Sequence, residues 1–403
     1  MLAFVKIVWR ISLTMILAGI FPLMVLAQIE PSIQPYAAMD REKVSFQGPG
    51  RDTGSDIHNS PVGIGLVLPL QGARAIHGKL LLQAAQMAVD EENANAASAG
   101  SPRFALAVRN ESEQWGQASN AMVQLITQDQ VVAIITSSDG RIAHQAEQIV
   151  NKLGAPVLTL SSDPTTTQIN IPWIFRVGLS DSDQARAIVN DILRTGKSRK
   201  ILLIAEADYD GRIGGDEFAK TSSQAREPLP DRIDVDTEKL SLADLLQQID
   251  SRRPHVIVLW SGSELAERLA SALSQRDSSI ELYLSQKSAA FFSLIAERQS
   301  GVQISVASSG MKNEGFANLY AARTGLEPSM AAQQIYIAIR TAIRAIQAVG
   351  ANRARVRDYL ASGRKIGSEW SVICFDPAGN SLGEVSLKSL NMTPNREMQI
   401  GAK

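Results

Sequence analysis

The sequence predicts an α/β protein made of two doubly wound parallel-sheet lobes. Two observations carry this. Short apolar runs of strand length alternate with longer segments of helical period along nearly the whole chain, the pattern of parallel strands covered by helices on both faces. The strand-like runs number roughly ten or more, above what one doubly wound sheet usually carries, so they divide between two lobes. Composition agrees: of 403 residues, 45% are apolar and 20% charged, ordinary for a globular chain with a sizeable core.

The first segment is not part of that alternation. "MLAFVKIVWRISLTMILAGIFPLMVLAQ" places Lys6 and Arg10 ahead of an apolar run from Ile11 to Leu26, with small Val25 and Ala27 before a cut at Gln28. Residues 1–27 read as a cleavable signal peptide, which implies export and a periplasmic location. The other reading is an uncleaved membrane anchor, for which the run is short and interrupted by Gly19 and Pro22. No cysteine lies near the cut, so no lipid is attached there. Removal of Lys6 and Arg10 would take the net charge from -1 to about -3. Residues 28–60, rich in polar residues, Pro and Gly with no apolar period, read as a flexible linker.

From Pro61 the elements follow in order. "VGIGLVLPL", "FALAV", "VVAIIT", "PVLTL" and "WIFRV" are strands. Between them, "AIHGKLLLQAAQMAVDEEN" aligns Leu80, Ala84, Met87 and Ala88 on one helical face, "QASNAMVQLITQ" is a helix, and "GRIAHQAEQIVNKLG" is a helix closed by Gly154. "SDQARAIVNDILRTG" is a helix with Ser182 as N-cap. "KILLIAE" is a strand, "SLADLLQQID" a helix capped by Ser241, "HVIVLW" a strand, "SELAERLASALSQ" a helix, "ELYL" a strand and "AAFFSLIAE" a short helix. "VQISVAS" is a strand, followed by helices at "EGFANLYAARTG", "SMAAQQIYIAIRTAIRAIQAVG" and "RARVRDYLASG", then strands around "WSVICFD" and "GEVSLKSL".

Several chemistries are disfavoured by what the chain lacks. A net charge of -1 gives no basic surplus for nucleic acid. The single cysteine, Cys374, lies in an apolar stretch and reads as a small buried hydrophobe. The four histidines, His58, His77, His144 and His255, have no metal-ligand spacing, and no phosphate loop or nucleophile elbow occurs. One string does invite an enzymatic reading: Gly214 to Phe218 spell GGDEF, the signature of diguanylate cyclases. In a cyclase it forms a hairpin between antiparallel strands, whereas here a strand and a Gly-rich loop precede it and a helix-compatible stretch follows. GTP would also be out of reach of an exported protein. The residues read instead as loop glycines at 211, 214 and 215, with Asp216 and Glu217 favouring a helix N-terminus.

The stretch "VGIGLVLPLQGARAIHGKLLLQAAQMAVDEEN" resembles the opening of the branched-chain-amino-acid type of periplasmic binding protein, through Pro69, Leu70, Gly72, Gly78, Ala88, Val89, Asp90, Glu91 and Asn93. "VVAIITSSDG", "GAPVLTLSSDPTTT", "IFRVGLSDSDQARAIVNDI", "ADYDGRIGGDEF" and "FDPAGN" resemble later segments of that family in the same order, over about residues 62 to 390. The resemblance implies a type I periplasmic-binding-protein fold, with two lobes joined by a hinge that close over a ligand, no catalysis and no cofactor or metal. Lobe 1 is expected over residues 61–178, completed by about 309–385. Lobe 2 is expected over 179–308, with a tail of about 386–403.

Ligand residues follow position by position. Ser137 and Ser138 follow a strand and open a helix, a place suited to a carboxylate or to ordinary capping. Ser161 and Asp163 fall where the resemblance implies contacts to a ligand carboxylate and amine. Asp163 departs from the commoner Thr or Ala and either pairs with an ammonium or caps the next turn. Tyr209 matches the family's cleft aromatic, against the alternative of a loop-packing Tyr, and Trp260 ends a strand, at the cleft mouth or simply buried. Lys287 stands where amino-acid-binding members tend to carry an acidic residue, so it either draws in a carboxylate or is a solvated loop lysine. Arg74 and Gln71 are weaker candidates.

Two functions are compatible with this reading. The first is a solute receptor that captures a small polar molecule (an amino acid, a carboxylate or an amide) for an ABC permease. The second is a sensor or adaptor on the same fold, resembling the penicillin-binding-protein activators, that acts through protein contacts. The membrane enters only through the permease or an uncleaved signal anchor.

Overall fold

The computed structural model describes residues 56–58, 60–99, 101–111, 116–168, 171–194, 199–225, 229–276, 279–291, 302–309, 314–367, 372–383 and 385–390. The signal peptide, most of the 28–60 linker and the tail beyond 390 lie outside the described residues.

Strands β1 (Val62–Leu68), β2 (Phe104–Asn110), β3 (Ala133–Thr136), β4 (Val157–Thr159) and β5 (Ile174–Arg176) form one all-parallel sheet in the order β2-β1-β3-β4-β5. Strands β6 (Ile201–Glu206), β7 (Asp231–Val235), β8 (Val256–Trp260), β9 (Glu281–Leu284), β10 (Gln303–Ser308) and β11 (Ser386–Leu390) form the second, in the order β7-β6-β8-β9-β10-β11. Only β11 runs antiparallel there. Each sheet therefore reverses its winding once, between β1 and β3 and between β6 and β8. The crevices outside the strand C-termini at such points are where open α/β sheets bind ligands.

Helices α1 (Ala75–Ala99), α2 (Gln117–Thr127), α3 (Gly140–Leu153) and α4 (Thr165–Gln168) belong to the first lobe, and α5 (Asp181–Arg194), α6 (Tyr209–Gln224), α7 (Leu242–Arg252), α8 (Ser263–Ser274) and α9 (Gln286–Ala289) to the second. The chain then returns to the first lobe with α10 (Glu314–Thr324), α11 (Met330–Val349) and α12 (Arg353–Ala361). Helix α11 presents Ile335, Ile339, Ile343 and Ile346 at helical spacing, and all are buried with Leu81, Ala84 and Ala88 of α1.

Among the described residues three chain crossings join the lobes, after β5, after β10 and before β11. Gly178, at φ 139°, a region open to glycine, lies against the third: its N–H donates to Ser381 Oγ at 3.2 Å, and that hydroxyl donates to the Gly178 carbonyl at 2.8 Å. Gln286 ties the first crossing to the second, accepting from Leu179 N–H at 3.4 Å and donating to the Ala307 carbonyl at 3.3 Å.

Several local expectations change. The hydroxyl accepting from the α5 backbone is Ser180, from Asp183 N–H at 3.1 Å. Ser182 lies inside the first turn and donates to Glu217 at 2.7 Å. The glycines of GGDEF are helical, not loop, residues: α6 starts at Tyr209, capped by Asp208, which accepts from Gly211 N–H at 2.7 Å. Asp216 is then in mid-helix, paired with Arg232. In "WSVICFD" the described residues make isolated bridges at Ile373 and Phe375 and no strand. The short helix near 289 begins earlier, at Gln286, and residues 292–301 lie outside the described residues. Cys374 is half-buried, its thiol 3.0 Å from the Gly363 carbonyl, because Ile373 and Phe375 take the inward positions on either side.

Candidate functional site

Loops at the strand C-terminal ends of the two lobes face each other and touch. From lobe 1 come the loop after β1 with Arg74, the α3 N-terminus at Ser137 to Gly140, and the turn after β4 with Ser161 to Thr165. From lobe 2 come the first turn of α6 and α9. Two hydrogen bonds join them directly. The Tyr209 hydroxyl donates to Asp163 Oδ2 at 2.8 Å, and the Gly140 N–H donates to Asp210 Oδ1 at 3.0 Å.

Asp163 is the centre of the first contact. The Ser161 hydroxyl accepts from Asp163 N–H at 3.2 Å, and Ser161 N–H donates to Thr159 Oγ1 at 3.1 Å, so a fully buried serine shapes the turn that presents the carboxylate. Thr165 N–H and hydroxyl donate to Asp163 Oδ1 at 2.8 and 2.7 Å, so Asp163 does cap α4. Its other oxygen receives Tyr209 and His144 Nε2, the latter at 2.9 Å, while His144 Nδ1 lies 2.9 Å from Glu147 Oε2. Hydrogen bonds to Asp163 and then Glu147 raise the imidazole to about 10, against burial, so the ring is an imidazolium at neutral pH. Burial alone would raise Asp163, but His144, Thr165 and Tyr209 outweigh it and hold the carboxyl at about 2. Asp163 thus pairs with an internal cation.

The α3 N-terminus is also occupied from within. Its N-cap is Asp139, not Ser138: Asp139 Oδ1 accepts from Arg141 N–H at 2.9 Å, and Oδ2 takes the Arg141 and Arg74 guanidinium groups at 2.8 and 3.3 Å. Ser138 is exposed. Ser137 is buried and turns its hydroxyl to Glu111, which also lies 3.2 Å from Arg74. Burial pushes the Glu111 carboxyl up to about 7 despite Arg74 and Ser137. Gln71 is exposed.

Lys287 lies in the cleft region, but its charge is already met. Its ammonium pairs with Asp208 and sits 3.2 Å from Glu206, and Asp208, Asp210 and Glu206 together outweigh burial to hold its pKa above the ordinary lysine value. An incoming carboxylate would have to compete for Lys287 with three acidic side chains. Trp260 does not stand at the mouth. It is 0% exposed, packs on Phe218 and donates from its indole to Asp181 at 3.0 Å. The cause is Gly214: a Cβ there would come within 2.0 Å of the indole nitrogen. Glycine lets α6 lie directly on the tryptophan.

Of the residues named from the sequence, the structure brings Asp163 and Tyr209 together, and it adds His144, Asp139 and Asp210, which the sequence reading did not name for the site. His144 follows the α3 start by one helical turn, a spacing that could have placed it beside the Ser-rich loop. Asp210 had no such signal, since its partner is a backbone N–H in the other lobe. Among the described residues no group of three or more His, Cys, Asp or Glu is arranged to hold a metal ion, and no helix is long and apolar enough to cross a membrane.

A family model described as periplasmic binding protein matches residues 61–368. A leucine-binding protein, LivK, of Thermotoga maritima superposes with a TM-score of 0.67 at 15% identity, covering 82% of this chain and 99% of that one. A solute-binding protein of an ABC transporter from R. palustris, solved with benzoate, superposes with a TM-score of 0.68 at 17% identity, covering 83% and 94%. Among curated sequences, Glutamate receptor 2.9 of Arabidopsis thaliana is 29% identical over 219 residues, 52% of this chain. The match spans only 22% of that receptor's length. The chain belongs to the periplasmic binding protein family, and its two parallel-sheet lobes are the type I architecture of those relatives.

Proposed function

From that membership we propose that the chain is an exported solute receptor of the periplasm. It captures a small polar molecule between its lobes and presents the closed form to an ABC permease. Lobe 1 is taken as residues 61–178 with about 309–385, and lobe 2 as 179–308 with the tail from about 386. The observation that carries the reading is the meeting of loops at the strand C-terminal ends of both lobes at Asp163 and Tyr209, one residue from each lobe, 2.8 Å apart. With Asp163 and Tyr209, the residues taken to line the ligand site are Ser137, Ser138, Ser161, Lys287 and Trp260. The work done is lobe closure, with no bond made or broken. Relatives named for leucine and benzoate support amino acids and aromatic acids as the first solutes to try.

The test is a thermal-shift screen of residues 28–403 with amino acids, dicarboxylates, aromatic acids and amides. A solute that binds only the folded form raises the melting temperature with concentration and adds about 2.7 kcal/mol of stability at a hundredfold excess over Kd. A flat screen, repeated after unfolding and refolding to strip any bound molecule, would reject the receptor reading.

A second reading, the adaptor, is favoured by one observation: many cleft groups are satisfied by one another, as in Ser137–Glu111, Lys287–Asp208 and Gly140–Asp210. An adaptor would give the flat screen and retain a protein partner.

A further inference from the structure

The first turn of α6 sits where a ligand carboxylate would be sought. Asp210 Oδ1 accepts the Gly140 N–H at 3.0 Å, and Asp139 accepts the next free N–H of the same helix, that of Arg141, at 2.9 Å. The packing is as close as the bonding. A Cβ built on Gly140 would stand 2.7 Å from Asp210 Oδ1, 2.9 Å from Tyr209 Cε1 and 3.3 Å from Asp163 Oδ2, so lobe rests directly on lobe. Helix α6 is held rigidly in that position. Gly211 packs so tightly that a Cβ would be 2.3 Å from the Glu206 carbonyl, and Gly214 seats on Trp260, whose indole holds Asp181. Asp181 N–H in turn donates to the Ser162 carbonyl of lobe 1 at 2.8 Å.

We propose that Tyr209 and Asp210 form an internal latch: the lobes close on these two side chains, with Asp210 filling the anion position at the α3 N-terminus and Tyr209 holding Asp163. The inference rests on the receptor reading only in naming the competitor, an anionic solute that must displace Asp210 from Gly140. The lobe contact itself is independent of any solute. The groups facing Asp210 are Asp139 and Arg141 from α3, Asp208 from its own turn and Lys287 from α9. Burial raises the Asp210 carboxyl, with Asp139 and Asp208 adding to the shift, while Lys287 and the hydrogen bond from Gly140 N–H favour the carboxylate.

The test adds no solute, so its failure is separate from a failed solute screen. Hydrogen exchange is followed by mass spectrometry in overlapping peptides across residues 136–144 of the mature chain, in wild type, Asp210→Ala and Tyr209→Phe. The Gly140 amide is expected to exchange about tenfold faster in Asp210→Ala, the loss of one hydrogen bond of ordinary strength. Arg141, capped within lobe 1 by Asp139, is expected to keep its rate and so reports intact folding. Gly140→Ala approaches from the other lobe: its methyl should wedge the lobes apart and increase the radius of gyration in solution scattering, as Asp210→Ala should. Unchanged exchange at Gly140 in Asp210→Ala, or an unchanged radius in both Gly140→Ala and Asp210→Ala, would overturn the latch.

Discussion

At the scale of single residues, Asp163 owes its behaviour to what surrounds it. It is buried, yet the imidazolium of His144 and three further donors, from Thr165 and Tyr209, keep it ionised. Replacing His144 by Gln keeps a donor and removes the charge. The expected result is a loss of about 1–3 kcal/mol in denaturant unfolding, with Asp163 titrating nearer the ordinary carboxylate range. A carboxyl still titrating at about 2 in carbon-detected NMR of His144→Gln would contradict the pairing. The residue scale is also where sequence told least. Asp163 and Tyr209 were reachable because they fall in loop segments that the family resemblance singles out. The role of Lys287 was not, because its neutralising partners Glu206 and Asp208 lie about eighty positions away, and a pattern along the chain records no such pairing.

At the scale of elements, periodicity served well. Strands and long helices declare themselves through burial at fixed spacing, and Ser241 and Gly154 close their helices as their residue types dictate. The first turn of α6 was misread because glycines usually mark loops. Here Gly214 is a contact surface for Trp260, a property of packing and not of local propensity. The GGDEF string is thus the residue pattern of a helix lying close on a tryptophan. Gly214→Ala gains helix propensity of about 1 kcal/mol but must push the indole away, so a net melting-temperature decrease is expected, consistent with overpacking costs of about 1–3 kcal/mol. An increase would mean that α6 has room to move. In the first lobe, Ile339 of α11 is fully buried against α1, and Ile339→Ala should cost about 2–5 kcal/mol in chemical unfolding.

At the scale of the whole molecule, the two-lobe division was legible from strand count alone, whereas the direct lobe contact was not, because it joins residues distant in sequence. That contact, with the His144–Asp163 pair behind it in lobe 1, gives the protein a pH dependence whose sign can be worked out. His144 is raised from 6.5 to about 10, so its contribution is complete below 6.5 and fades as pH climbs towards 10. Asp210 is raised from 3.8 to about 8, so the folded form keeps a proton the unfolded chain has lost, and stability again falls as pH rises through that window. Asp163, lowered from 3.8 to about 2, acts oppositely and loses its contribution only in strong acid. Melting temperature should therefore decline between about pH 6 and pH 9, and less so in His144→Gln. A flat profile for both proteins would remove the lobe contact from the account of stability.

The most direct test of the receptor reading is calorimetric titration of the mature chain with the best-stabilising solute, wild type against Tyr209→Ala. The account predicts one solute per chain, and binding weakened at least about tenfold when Tyr209 is removed, the loss of one good hydrogen bond and its ring contact. Equal affinity in both proteins would place the solute away from the Asp163–Tyr209 junction and contradict it.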